Sequence, residues 1–149
     1  MTEYRYFQGL LWSGNYMSPY IIVVDDEASV REVVKVFLEA KGYEVSVAED
    51  GLDALRQIAL RKPDLIVLDV MMSPITGWEV LEVLRGTVEL KDIRVIMLTG
   101  LNQERAEAQC WHLGCDWYQV KRKPLQFDDF GLVIERLLAV DTVIPGPMS

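Results

Sequence analysis

A chain of 149 residues, half of them hydrophobic and 26% charged, can bury one core and has the balance of a single folded domain. Its net charge of −8 disfavours bulk attachment to nucleic acid or anionic lipid and suits a cation. No apolar run reaches membrane-spanning length, and the N-terminus lacks a basic stretch followed by an apolar one, so neither a membrane segment nor a signal peptide is expected.

Residues 1–18, within "MTEYRYFQGLLWSGNYMSP", are rich in Tyr, Phe and Trp but have no clear period. They read as an extension that is disordered, packs on the domain or serves self-association as a homodimer. "YIIVV" (Tyr20 to Val24) then reads as a core strand that runs directly into Asp25, Asp26 and Glu27. Burying those anions without a partner is costly. "ASVREVVKVFLEAKG" carries Val30, Val33, Val34, Phe37 and Leu38 on one helix stripe, with Gly42 as its stop. "YEVSVA" alternates as a strand. "DGLDALRQIALRK" predicts a helix with Leu52, Leu55 and Ile58 inward, ended by Pro63.

"DLIVLD" is a short buried strand ending in Asp69. "TGWEVLEVLRG" is a helix, with Thr76 and Glu79 as a capping box. "IRVIMLTG" is a strand ending at Thr99. "NQERAEAQCWHLG" is a more polar helix, capped by Asn102 and stopped by Gly114. Cys110, His112 and Cys115 lack a zinc-type spacing and read as ordinary packing by reduced thiols, which fits a cytoplasmic setting. "DWYQV" is the last strand, and "FDDFGLVIERLLAV" repeats the apolar stripe through Phe130, Val133, Ile134, Leu137 and Leu138. The domain spans 19–141. Residues 142–149 read as a short tail with no output domain expected.

Five strands alternating with five helices predict a doubly wound α/β domain: a five-stranded parallel sheet with right-handed crossovers. Its ligand site belongs outside the carboxyl ends of the strands. Asp25, Asp26, Asp69, Thr99 and a lysine after the fifth strand all fall there. Clustered carboxylates repel one another unless a cation joins them, and hard oxygen ligands favour Mg²⁺. Singly, each of these residues is more often a helix cap, a strand hydroxyl or a solvated charge.

The ordered set "VVDDE", "LIVLDVMM…G", "VIMLTG" and "KPL" resembles the receiver domain of two-component response regulators, from about Tyr20 to Val140. The resemblance implies a flavodoxin-like strand order, 2-1-3-4-5. It implies Asp69 as phosphoacceptor, and Asp25, Asp26, Asp69 and the Met71 carbonyl as holders of Mg²⁺. Thr99 and Lys123 would contact the phosphoryl group. Lys123 precedes Pro124, whereas Lys121 has the more usual distance from Tyr118 and is the alternative. In such domains the lysine–proline bond is cis, which only proline makes inexpensive. The family's proline, four residues after the phosphoacceptor, is here Ser73, with Pro74 one later and Gly77 in register. Side chains two residues after the phosphoacceptor and the threonine place the hydrolytic water in this family. Here these are the apolar Met71 and Leu101.

The implied partners are a histidine kinase or phosphotransfer protein and a downstream protein target, without direct nucleic-acid contact or membrane insertion. No turnover of an external substrate is expected. A relay carrier passing the group to another histidine, and a pseudo-receiver that only binds partners, are the alternative readings.

Overall fold

Near-continuous Val, Ile and Leu runs leave no polar face, so the strands that carry them must be covered on both sides. The computed structural model, which describes residues 3–7, 10–14, 18–101, 103–122, 124–127 and 129–142, shows how this is done. β3 (Tyr20–Val24), β4 (Glu44–Ala48), β5 (Leu65–Leu68), β6 (Arg94–Thr99) and β7 (Trp117–Val120) form one parallel sheet in the order β4-β3-β5-β6-β7. Numbered among the core strands alone, this is the 2-1-3-4-5 order. The helices are α1 (Ala28–Ala40), α2 (Gly51–Leu60), α3 (Gly77–Gly86), α4 (Glu104–Leu113) and α5 (Phe130–Thr142).

Because successive strand residues point to opposite faces, β3 feeds two cores. Ile21 and Val23 pack with Val30, Val34 and Leu38 of α1 and Phe130, Ile134 and Leu138 of α5. Ile22 and Val24 pack with Ala54 and Ile58 of α2 and Val80, Leu81 and Leu84 of α3. Each fully buried aliphatic side chain contributes about 1.5–3 kcal/mol.

Two stripe residues fall outside these cores: Val33 and Leu52 are exposed. In α1 the row facing the sheet is Val30-Val34-Leu38, spaced by four, and Val33 lies on its flank. In α2 the small residues Gly51 and Ala54 face inward and let the helix sit close, which turns Leu52 toward solvent. The capping box at α3 is formed: Thr76 Oγ1 accepts from the Glu79 N–H at 3.2 Å, and Glu79 Oε1 accepts from the Thr76 N–H at 3.0 Å. Asn102 lies outside the described residues, and Gln103 stands at the N-cap of α4.

In the extension, β1 (Glu3–Phe7) and β2 (Leu10–Gly14) pair antiparallel, with β2 beside α5. The cysteines also depart from the expectation of separate thiols: Cys110 and Cys115 are joined in a disulfide with Cα atoms 5.4 Å apart. The cause is the helix end. Gly114 adopts φ 95°, so the chain doubles back; the Gly114 N–H reaches the Trp111 carbonyl and the Cys115 N–H the Cys110 carbonyl. That hydrogen-bond pair is a Schellman closure, which brings the side chains at these two positions together.

One glycine fixes the loop below the sheet edge. The Gly77 N–H donates to the Val70 carbonyl at 2.8 Å, and a Cβ on Gly77 would lie 2.0 Å from the Asp69 carbonyl oxygen. Gly77→Ala is therefore expected to cost about 1–3 kcal/mol by overpacking against backbone. Gly86→Ala, where a Cβ meets nothing within 4 Å, is expected to be neutral or to stabilise by up to about 1 kcal/mol. Urea unfolding of the two variants checks the contrast; equal effects would contradict it.

Candidate functional site

The chain passes from β3 through α1 to β4 on one side, then through α2 back across β3 to β5 on the other. The two crossovers diverge above the ends of β3 and β5, which opens a crevice there. Asp25 is the first residue after β3, Asp69 the first after β5, Thr99 the last of β6 and Lys121 the first after β7. The backbone ladder continues into these residues and holds them: the N–H of Asp25 donates to Ala48, that of Asp69 to Val24 and that of Lys121 to Thr99.

Lys121 Nζ lies 2.7 Å from Asp25 Oδ2, 3.2 Å from Asp69 Oδ2 and 3.3 Å from Glu27 Oε1. Asp25, Asp69 and Thr99 are buried, at 2, 4 and 0% exposure, whereas Asp26 and Glu27 stand in solvent. Asp25 Oδ1 accepts from the Glu27 N–H at 2.9 Å, Asp69 Oδ1 from the Val70 N–H at 2.7 Å, and Thr99 Oγ1 from the Leu101 N–H at 3.3 Å. Burial pushes the Asp25 carboxyl above its ordinary range, and the Lys121 ammonium only partly offsets it. Burial pulls Lys121 the other way, but Asp25 and Asp69 outweigh it, so its ammonium holds its proton more tightly than usual.

Asp26, Glu27, Asp69, Met71, Thr99, Leu101 and Lys121 line one open cavity of about 550 Å³. Carboxylate oxygens of Asp25, Asp26 and Glu27 lie within 4.8 Å of one another. The donors are all hard oxygens, and one side is open to water, which suits a hydrated divalent cation such as Mg²⁺. Met71 is well exposed on the cavity wall.

The structure thus brings together Asp25, Asp26, Asp69, Met71 and Thr99 as the sequence suggested. Lys123 lies outside the described residues; among those described, the lysine on Asp69 is Lys121. The signal was strand register. Thr99 pairs with Val120, so the next residue, Lys121, occupies the same edge as Asp25 and Asp69. Glu27, within reach of both the acids and Lys121, was not singled out. Tyr118 is buried and its hydroxyl donates to the Leu101 carbonyl, tying β7 to the loop after Thr99.

Comparison with known proteins agrees with this geometry. The family model for the response regulator receiver domain matches residues 21–130. The response regulator MprA of Mycobacterium tuberculosis is 41% identical over 70% of this chain and 45% of its own length. The DNA-binding dual master transcriptional regulator RpaA of Synechocystis is 33% identical over 85% of this chain and 52% of its own. The chain therefore spans about half the length of the curated relatives it matches. Among solved structures, the response regulator TrrA of Thermotoga maritima, in complex with Mg(2+)-BeF, is 35% identical, covers 80% of this chain and 98% of its own, and has a TM-score of 0.70. The signal receiver domain of a histidine kinase from Syntrophus aciditrophicus is 29% identical, with 89 and 98% coverage and a TM-score of 0.77.

Removing Lys121 leaves two buried carboxylates facing each other. Lys121→Met is expected to lower the unfolding free energy by about 3 kcal/mol in metal-free buffer at neutral pH. The deficit should narrow as pH falls, because Asp25, already raised, protonates and removes buried charge. Urea midpoints across pH measure this; a deficit that is absent, or that grows on acidification, would contradict the pairing.

Proposed function

This chain belongs to the response regulator receiver domain family, and on that premise we propose that it takes a phosphoryl group from a histidine kinase or phosphotransfer protein onto Asp69. The observation that carries this reading is the Lys121 ammonium held between buried Asp25 and Asp69 at the sheet edge. An Asp69 carboxylate oxygen attacks phosphorus, the bond from phosphorus to the donor imidazole breaks, and the imidazole leaves. Asp25, Asp26, Asp69 and the Met71 carbonyl are the groups that would hold Mg²⁺. When bound, the ion supplies the positive charge that a phosphoryl group needs as it approaches carboxylates.

Lys121 neutralises Asp69 before transfer and a phosphoryl oxygen after it. The Thr99 hydroxyl, at the end of the neighbouring strand, donates to another oxygen of that group. The added dianion biases an existing two-state equilibrium of the loops around it and so alters the surface offered to a downstream protein. The net charge of −8 argues against nucleic-acid contact by this domain itself. Among the described residues, no helix is long and apolar enough to cross a membrane.

Intact-mass analysis after incubation with acetyl phosphate tests the reading. One phosphoryl adduct is expected with Mg²⁺, and none in EDTA or in Asp69→Asn. Labelling should collapse in Lys121→Met; an equal collapse in Lys123→Met with labelling kept in Lys121→Met would return the role to Lys123. The adduct should decay slowly, because neither Met71 nor Leu101 can place a water by a strong hydrogen bond. Met71→Asn and Leu101→Glu should quicken the decay, and unchanged or slower decay in both would refute that part.

A further inference from the structure

α4 is the most weakly seated helix on its face of the sheet. Among its described residues Cys110 alone is fully buried, and only Ala106 and Leu113 add partial packing. Its single deep anchor is therefore also one half of the disulfide. The other half sits on firm ground. Arg85 of α3 donates from Nε to the Gly114 carbonyl at 2.8 Å and from Nη2 to Asp116 Oδ2 at 3.0 Å. Asp116 Oδ2 also accepts from the Val95 N–H, and the Asp116 N–H donates to the Val95 carbonyl. Breaking the sulfur–sulfur bond would leave the turn and β7 in place and remove the covalent tie on the helix.

We propose that Cys110 and Cys115 form a reversible thiol–disulfide site, read by small dithiols and disulfides, whose state sets how firmly α4 is held to β7. The site lies apart from the acidic cavity and does not depend on phosphorylation. Cys115, at 6% exposure, is the less buried of the two residues; Cys110 shows none. An external thiolate attacks the Cys115 sulfur, the disulfide breaks, and Cys110 leaves as a thiolate that takes up a proton. The reagent's second thiol then attacks its own sulfur in the mixed disulfide. Cys115 is released and protonated, and the reagent departs as a cyclic disulfide. Two electrons and two protons have passed from the dithiol to the pair. Oxidation by a small disulfide runs the same exchange backwards, releasing two molecules of thiol.

The consequence reaches the acidic cavity by chain connectivity. The short segment between Thr99 and α4 supplies Gly100 and Leu101 to the cavity wall. Loosening α4 loosens that wall.

The test uses the full chain under native conditions. Without reductant no free thiol should titrate. Dithiothreitol should add two hydrogen atoms by intact mass and expose two thiols, and oxidised glutathione should close the pair again. Hydrogen exchange should then be roughly tenfold or more faster in peptides from α4 of the reduced protein, with α2 and α3 unchanged. Cys115→Ser should exchange in α4 like reduced wild type even in oxidised glutathione. Two persistent free thiols, a bond that opens only when the whole domain unfolds, or identical α4 exchange in both states would overturn the proposal. The wild-type comparison decides the matter even if the variant fails to fold.

Discussion

Like charges at short range are the constraint on which this structure turns. Asp25 and Asp69 are both buried at adjacent strand ends, with Asp26 and Glu27 beside them. In a medium of reduced dielectric such a cluster opposes folding unless positive charge is brought to it. Lys121 brings one such charge, and its raised proton affinity is the local sign of that task. A divalent cation on the open side would bring two more. In the function proposed above, that repulsion between carboxylates is what a bound cation would relieve as a phosphoryl group approaches.

The rest of the fold makes that cluster affordable. Two hydrophobic layers, fed alternately by the residues of β3, fix the strand ends in register. Register then carries Asp25, Asp69 and Lys121 to one edge. Gly77 lets α3 begin against the Asp69 carbonyl, which sets the loop that bears Met71. The face formed by α4 and β7 is held differently, by the Arg85–Asp116 bridge and a disulfide in place of broad apolar packing.

Much of this was legible in the chain itself. A strand such as "DLIVLD" announces its own end, so Asp69 could be placed without coordinates, as could Asp25 after "YIIVV". Helix stripes located the cores but overstated their width, because periodicity does not say which flank of a stripe meets the sheet; Val33 and Leu52 show this. The lysine was ambiguous because the inserted residues before Pro124 separate two rules, distance from the proline and distance from the strand end. Pairing between β6 and β7 puts Lys121 at that edge. The cysteine pair was readable in principle, since a helix closed by glycine brings together the residues four before and one after it. Treating the two as independent thiols missed it. The strand pair in the extension had no periodic signal to find.

The most direct measurement of the central claim, that the carboxylate edge is a cation site built into the fold, is unfolding of the unphosphorylated protein with and without Mg²⁺. A ligand bound only by the native state should raise stability by about 2.7 kcal/mol at a hundredfold excess over its dissociation constant. The account predicts such a Mg²⁺-dependent rise in the urea midpoint of wild type and its loss in Asp26→Asn. A midpoint indifferent to Mg²⁺ in wild type, or one that rises equally in Asp26→Asn, would contradict it.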